Sequence, residues 1–469
     1  MRFDIGIKNF GKISDATIKV RPFTVIAGKN SSGKSFITKS LYSFFSTINT
    51  DHVTRKAYDY ISKLKSVAEY LEEETNRLSK KEINLFEKLS VSILTLEHMI
   101  DQTFGSNTFS TQLMKSHQLK EPISFLESCF TELFNEISTK QKFNSKENDF
   151  KYLKSLIDDL NQLFISPTDC LVQGIDKNFT NALKENFQVS SLNELKNFNL
   201  DEPSIHFDFD SLGKVDITGE SLEFSLDKKS IDSIQKLHNV VYLESPVYWK
   251  IKGALENVKS HTKRFSLGML HNKVGVLTGV PKHFYDLTDL LSTQTTAPSI
   301  ELYEELNSAI GGEVSISKSG ELTYSENGSE FHVNLHNTAL GITNLGIISL
   351  LLKKGVLSKG SFLFIDEPEV HLHPSWQKTM TDTLYALSKV DVNVVIASHS
   401  VDMMKCIENI MNKLPSDELH NHFGINQLNS KGESVQDSGY PLKQLAAIKA
   451  DLGEPFYEMM MDNNFDWDE

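Results

Sequence analysis

No other stretch constrains this chain as tightly as Gly28-Lys29-Asn30-Ser31-Ser32-Gly33-Lys34-Ser35, which fits G-x-x-x-x-G-K-[ST] in full. In front of it stands Phe23-Thr-Val-Ile-Ala27, a continuous apolar run of the kind that a strand buried on both faces requires. Behind it Phe36, Ile37, Leu41, Phe44 and Phe45 recur at helical spacing. Strand, glycine loop and helix in that order make an anion cradle. The glycines let the backbone curl until successive N–H groups converge on one phosphate, and the helix N-terminus adds its positive end. All eight residues from Gly28 to Ser35 are therefore expected to wrap a nucleotide, with Lys34 on the β- and γ-phosphates and the Ser35 hydroxyl on Mg²⁺. A plain glycine turn before a helix is the competing reading, but it has no need of a buried strand in front.

A second apolar run, Phe362-Leu-Phe-Ile365, ends in Asp366-Glu367 and is stopped by Pro368. An acid at the carboxyl end of a buried strand emerges beside the phosphate loop, where Asp366 can hold Mg²⁺ and Glu367 can polarise the attacking water. A third run, Val394-Val-Ile-Ala-Ser398, ends in His399. Taken alone such a histidine is more often structural; beside the two other motifs it becomes a candidate for the γ-phosphate or the attacking water.

Lys34 and Asp366 lie roughly 330 residues apart, far more than a sheet requires. The text between them changes character. Ile61, Leu64, Ala68, Leu71 and then Leu78, Phe86, Leu89, Ile93, Leu96 follow helical spacing, with further helices expected at 121–137, 149–165 and 178–198. No heptad repeat is sustained, so a bundle or hairpin is expected, not a long coiled coil. Residues 204–226 alternate, which reads as a small meander at the base of the insert. The expected fold class is α/β: a head with a mostly parallel sheet covered by helices, interrupted by a large helical arm. The expected boundaries are 1–49 for the N-terminal part of the head, 50–238 for the arm with its meander, 239–410 for the C-terminal part of the head and 411–469 for a C-terminal extension.

Composition narrows the partners. Lys and Arg number 48 against 62 Asp and Glu, a formal charge of −14. That excludes a general polyanion binder, because neutralising phosphates along a nucleic acid needs a basic face. Cys129, Cys170 and Cys406 are far apart, which excludes a disulfide scaffold or zinc finger and fits a reducing, cytoplasmic compartment. No secretory apolar core follows Met1-Arg2-Phe3-Asp4, and Leu345–Leu352 is too short to span a bilayer, so no membrane contact is expected.

The order of phosphate loop, long insert, Asp366-Glu-Pro-Glu-Val-His-Leu-His-Pro374 and Ala397-Ser-His-Ser400 resembles the SMC/RecF/OLD-type ABC ATPases. More narrowly, it is similar to the bacterial AAA ATPases of anti-phage operons, such as the ATPase subunits of the PARIS and Septu systems. Ile7-Lys-Asn-Phe-Gly11 belongs to the same likeness, which spans about residues 1–45 and 240–410. The resemblance implies an ABC-type head with Lys34 and Ser35 as Walker A, Asp366 and Glu367 as Walker B, and His399 as the switch histidine. It also implies ATP and Mg²⁺ as cofactors and dimerisation through the heads. Glu369–Pro374 falls where a D-loop lines the dimer interface. That role is preferred for His371 and His373 over metal binding, since histidines at i, i+2 with no third ligand are poor evidence for a metal.

The resemblance further implies a signature segment that reaches the γ-phosphate held by the opposite subunit. The position-matched residues Asn337–Gly346 offer Thr338, Gly341 and Asn344 for that trans contact but put Leu340 where the family carries serine. Hydrolysis is therefore expected to be slow or partner-stimulated. For the Q-loop the best positional candidate is the strand end at Glu244-Ser245. Residues 250–264 carry Lys250, Lys252, Lys259, Lys263 and Arg264 against Glu256, which suits a solvated helix face as well as a nucleic-acid contact. Asp208-Phe-Asp210 reads as a solvent-facing pair on one strand. Asp466-Trp-Asp468 has no strand behind it, so no nuclease chemistry is expected from either pair.

The functional expectation is an ATP-binding and hydrolysing switch that works as a homodimer or higher homo-oligomer. It would control a separately encoded effector, a nuclease or toxin, of an anti-phage system, with a phage protein or DNA as trigger. The alternative is a RecF/SMC-like DNA-repair ATPase that clamps DNA directly.

Overall fold

A computed structural model of the chain describes residues 1–75, 78–104, 109–139, 145–227, 237–244, 247–250, 281–292, 300–317, 321–329, 331–435 and 439–462. The alternating start of the sequence forms a hairpin, β1 (Phe3–Phe10) and β2 (Ile13–Val20), whose buried face carries Phe3, Ile5, Ile7, Ile18 and Val20. The apolar runs become strands buried along their whole length: β3 (Phe23–Ala27), β7 (Val240–Leu243), β11 (Phe362–Asp366), β12 (Asn393–Ser398) and β13 (Phe423–Gln427). They pair in parallel in the order β13-β3-β12-β11-β7. The expected α/β head with its parallel sheet is therefore present.

Two boundaries move. The meander β4 (Ser204–Asp208), β5 (Gly213–Thr218) and β6 (Ser221–Leu226), expected within the arm segment 50–238, joins the N-terminal hairpin in one antiparallel sheet ordered β2-β1-β4-β5-β6. Asn9 explains the join: with a left-handed φ of 56°, its buried side chain donates to Glu202 O at 3.1 Å and Ser204 O at 2.8 Å. The head also does not stop at 410, because β13 from the presumed extension lies beside β3. The chain accordingly divides into Met1–Asn49 with Asn178–Glu469 as one unit and Thr50–Lys177 as the other. A third, antiparallel sheet is formed by β8 (Gly312–Ile316), β9 (Leu322–Glu326) and β10 (His332–Asn334).

The helix Lys34–Ile48 is buried nearly all round, which suits a helix lodged inside a domain. Phe45 stacks on Phe362 of β11 with ring centroids 4.5 Å apart, while Phe44 stacks on Phe209 at 3.6 Å. This one helix therefore touches both the parallel sheet and the end of β4. In the other unit, the helices His52–Glu74, Lys80–Phe104, Lys120–Ser138 and Glu147–Ile165 bury their apolar stripes in a core that includes Leu64, Leu71, Phe86, Leu96, Phe130 and Phe150. The helix expected at 178–198 runs earlier, from Pro167 to Phe187.

Candidate functional site

Parallel register brings the three motifs to one edge. Ala27 pairs with Ser398, and Ala397 pairs with Asp366, so the phosphate loop, Asp366-Glu367 and His399 all leave the sheet at its carboxyl ends. That edge is where open α/β sheets bind ligands. Gly33 caps the following helix at φ 99°, a conformation costly for a side chain, and a Cβ there would meet Ile13 Cδ1 at 2.5 Å. Lys34 is 5% exposed, and its ammonium donates to Gly28 O at 2.8 Å and Lys29 O at 3.0 Å, the loop's own carbonyls. Burial pulls Lys34 below the usual lysine range, against the opposing pull of Glu367, Asp366 and Glu369.

Asp366 is 8% exposed, and burial pushes its carboxyl up to about 6, with Ser35 and Lys39 acting in the opposite direction. Its Oδ2 accepts from the Tyr242 hydroxyl at 3.3 Å, which lies 3.1 Å from Thr38 Oγ1. Lys39 sits one helical turn beyond Ser35 and pairs with Glu244 Oε1 at 2.8 Å, while Glu244 Oε2 lies 2.8 Å from His283 Nε2. Burial alone would raise Glu244, yet His283 and Lys39 outweigh it and hold the carboxyl at about 2. Glu244, the positional candidate for the Q-loop, thus pairs with Lys39 and His283, whereas Ser245 lies outside the described residues. Tyr242, Lys39 and His283 escaped the sequence reading. Only Lys39 left a signal, its i+4 spacing from Ser35.

Glu367 holds a left-handed φ of 51°, and its N–H donates to Ala397 O at 2.9 Å. The imidazole Nδ1 of His399 is 3.5 Å from Glu367 Oε1 and 3.4 Å from Glu369 Oε1. Glu369, at the head of the segment expected to line an interface, is buried, and its Oε1 accepts from the Ser398 hydroxyl and from the His399 N–H, both at 2.9 Å.

Ser32 Oγ, Asp366 Oδ1, Glu369 Oε2 and His399 Nδ1 are buried without a hydrogen-bond partner. Orphaned buried polar atoms are rare in folded proteins, and here they belong to the motifs that meet at one sheet edge. A nucleotide with Mg²⁺ fits that pattern. Ser35 and Asp366 Oδ1 would hold the metal, and Lys34 with the N–H groups of residues 28–35 would hold the phosphates.

Other expected residues fall elsewhere. Thr338 donates to Leu335 O at 2.7 Å, and Gly341 packs so closely on Leu372 that a Cβ would come 2.8 Å from its Cδ2. Asn344 lies one turn into the helix Leu340–Lys353. Among the described residues none of the three hydrogen-bonds the phosphate loop. His373 caps the helix Pro374–Lys389 by accepting from Ser375 N at 3.3 Å, and no group of three metal-ligating side chains occurs among the described residues. Asp208 and Asp210 do not share a strand as expected. Asp208 ends β4 and pairs with Lys214 at 2.8 Å, and Asp210 sits in a short 3-10 turn. Residues 251–264, Asp466 and Asp468 lie outside the described residues, and no described helix is long and apolar enough to cross a membrane.

A family model described as an AAA ATPase domain matches residues 1–404. The chain belongs to the AAA ATPase domain family. No curated protein matches this AAA ATPase. Among solved structures it is similar to an Smc head domain with an extended coiled coil, bound to the C-terminal domain of ScpA, from Pyrococcus furiosus. The identity is 11%, covering 96% of this chain and 99% of that one, with a TM-score of 0.32. It is also similar to an SMC head domain from Thermotoga maritima, at 11% identity, 86% and 91% coverage and a TM-score of 0.29. This AAA ATPase is an enzyme of ATP hydrolysis.

Proposed function

We propose that this AAA ATPase is a nucleotide-driven switch in which ATP closes two copies head to head and a separately encoded effector of an anti-phage system reads the closure. One observation supports the closure: the Thr338 hydroxyl donates to Leu335 O at 2.7 Å, and among the described residues none of Thr338, Gly341 and Asn344 hydrogen-bonds the edge holding Lys34, Asp366, Glu367 and His399, which leaves that edge open to a second copy. Within each site Lys34 and the loop N–H groups orient the phosphates, Glu367 takes the proton of the attacking water, and His399 reads the γ-phosphate. Ser35 and Asp366 would hold Mg²⁺, which would supply charge neutralisation when bound. The charge of −14 supports a protein effector over duplex DNA. The basic run in residues 250–264 favours the second reading, a clamp that holds DNA directly.

Light scattering of Glu367→Gln with and without ATP tests the switch. The expected result is a doubling of mass with ATP that Lys34→Ala abolishes; an unchanged mass at micromolar protein refutes it. Turnover stimulated by duplex DNA would replace the effector reading with the clamp.

A further inference from the structure

We propose that Glu369 is the positioning residue for His399, holding the imidazole so that Glu367 stays free to act on water. The inference rests on the ATPase reading of this site and divides labour between the two glutamates of Asp366-Glu-Pro-Glu369. They differ sharply in setting. Glu369 is 7% exposed, and its Oε1 already receives two hydrogen bonds at 2.9 Å from the end of β12. The Glu367 side chain is 43% exposed, and it stands on a left-handed backbone that turns it away from the strand path.

His399 Nδ1 lies between the two carboxylates, 3.5 Å from one and 3.4 Å from the other, and bonds to neither. On the Glu369 side waits an unmet acceptor, the buried Oε2. An orphan nitrogen facing a carboxylate with an orphan oxygen is a complementary pair. Shortening the 3.4 Å contact with Glu369 would give Nδ1 the partner it lacks, in the way that loose contacts in ligand-free sites tighten around substrate. The proton then resides on Nδ1, and Nε2 is the ring atom left for the nucleotide. A hydrogen bond from Nδ1 to Glu367 instead would occupy one of its oxygens and weaken it as a base toward water.

The anchor extends further back. Ser400 N donates to Ser398 Oγ at 3.2 Å, and the Ser400 hydroxyl donates to Gln377 Oε1 at 2.7 Å, which ties the strand end to the helix Pro374–Lys389. Glu369 is thus fixed to the backbone that carries His399, as a positioning group must be.

The test uses the full chain and the variants Glu369→Ala, Glu369→Gln, His399→Ala and the double variant Glu369→Ala/His399→Ala. Glu369→Ala is expected to lower kcat at least about twentyfold while the ATP Kd stays within about threefold. In the His399→Ala background the same change is expected to cost under about twofold, because residues that act as a unit are not additive. Selective ¹⁵N-histidine NMR gives a readout without turnover: the resonance lost in His399→Ala should move in Glu369→Gln, which keeps the side-chain shape should the Ala variant not fold. Multiplicative losses in the double variant, or an unmoved His399 resonance, overturn the proposal. Parent-rate turnover by His399→Ala would instead remove His399 from catalysis, and the NMR arm would still decide what Glu369 holds.

Discussion

Asp366→Asn should make the ligand-free protein more stable while destroying its use of Mg²⁺. Burial lifts this carboxyl from 3.8 to about 6, so at neutral pH the fold carries an ionised group it would rather keep neutral. At 1.36 kcal/mol per pKa unit, a shift of about two units corresponds to about 3 kcal/mol. The sign follows from the direction. The folded value lies above the unfolded one, so the cost is fully present above about pH 6 and disappears as pH falls toward 4. Asparagine keeps an oxygen for the Tyr242 hydroxyl and carries no charge to bury. At about 2 °C per kcal/mol for a unit this large, Tm should rise by roughly 6 °C at pH 7.5 and by almost nothing at pH 4. With saturating Mg²⁺ and ATP the order should invert, because the cation offsets the buried charge of the parent and offers nothing to the amide. Calorimetry across pH 4–8, with and without Mg²⁺ and ATP, measures both. A gap that is equal at pH 4 and pH 8, or a less stable variant at pH 7.5 without ligand, would refute the reasoning.

Lys34→Ala should abolish ATP binding in a filter or fluorescence assay, since charge and hydrogen bonds to the phosphates vanish together, whereas Glu367→Gln should bind ATP and turn it over at least about a hundredfold more slowly. Glu244→Gln should lower stability at pH 7, because the ionised carboxylate pairs with Lys39 and its pKa is drawn from 4.5 to about 2. That loss should shrink as pH falls from 4.5 toward 2, because the depressed value makes its stabilisation a property of the ionised form; denaturant titrations at pH 7 and pH 3 check it. Leu340→Ser should raise basal hydrolysis in single-turnover kinetics by supplying a hydroxyl at the signature position. Gly341→Ala should lower stability by about 1–3 kcal/mol in thermal unfolding, because its methyl would meet Leu372 Cδ2 at 2.8 Å.

The strands that make the site were legible because burial on both faces leaves a mark in the letters: Phe23–Ala27, Phe362–Ile365 and Val394–Ser398 are apolar without a break. Glycine, lysine and the terminal acids then gave each strand its chemistry. What could not be read was which strands are neighbours. Residues 204–226 alternate in the same way whichever strand they pair with, and their place beside β1 shows only in the ladder and in the Asn9 side chain on Ser204 O. Phe423–Gln427 carries Asn426 and Gln427 in a fully buried strand, so nothing in its composition announced a place beside β3. Glu369 was hidden for another reason. A carboxylate in a loop looks like a surface residue until its acceptors are seen to close on the backbone of a distant strand.

The strand that bears the phosphate loop is made long before its neighbours. Phe23 pairs with Val394 on one side and Phe423 on the other, roughly 370 and 400 residues further along. At about 5–20 residues per second on the ribosome, β3 waits roughly 20–80 s with both edges open. A short, wholly apolar ribbon with unpaired edges is a template for the wrong partner. Until Val394 and Phe423 emerge, the hairpin β1–β2 is the structure at hand to cover that ribbon. A chain cut before Val394 is expected to carry a phosphate loop with no strand on either side, to bind no nucleotide and to aggregate.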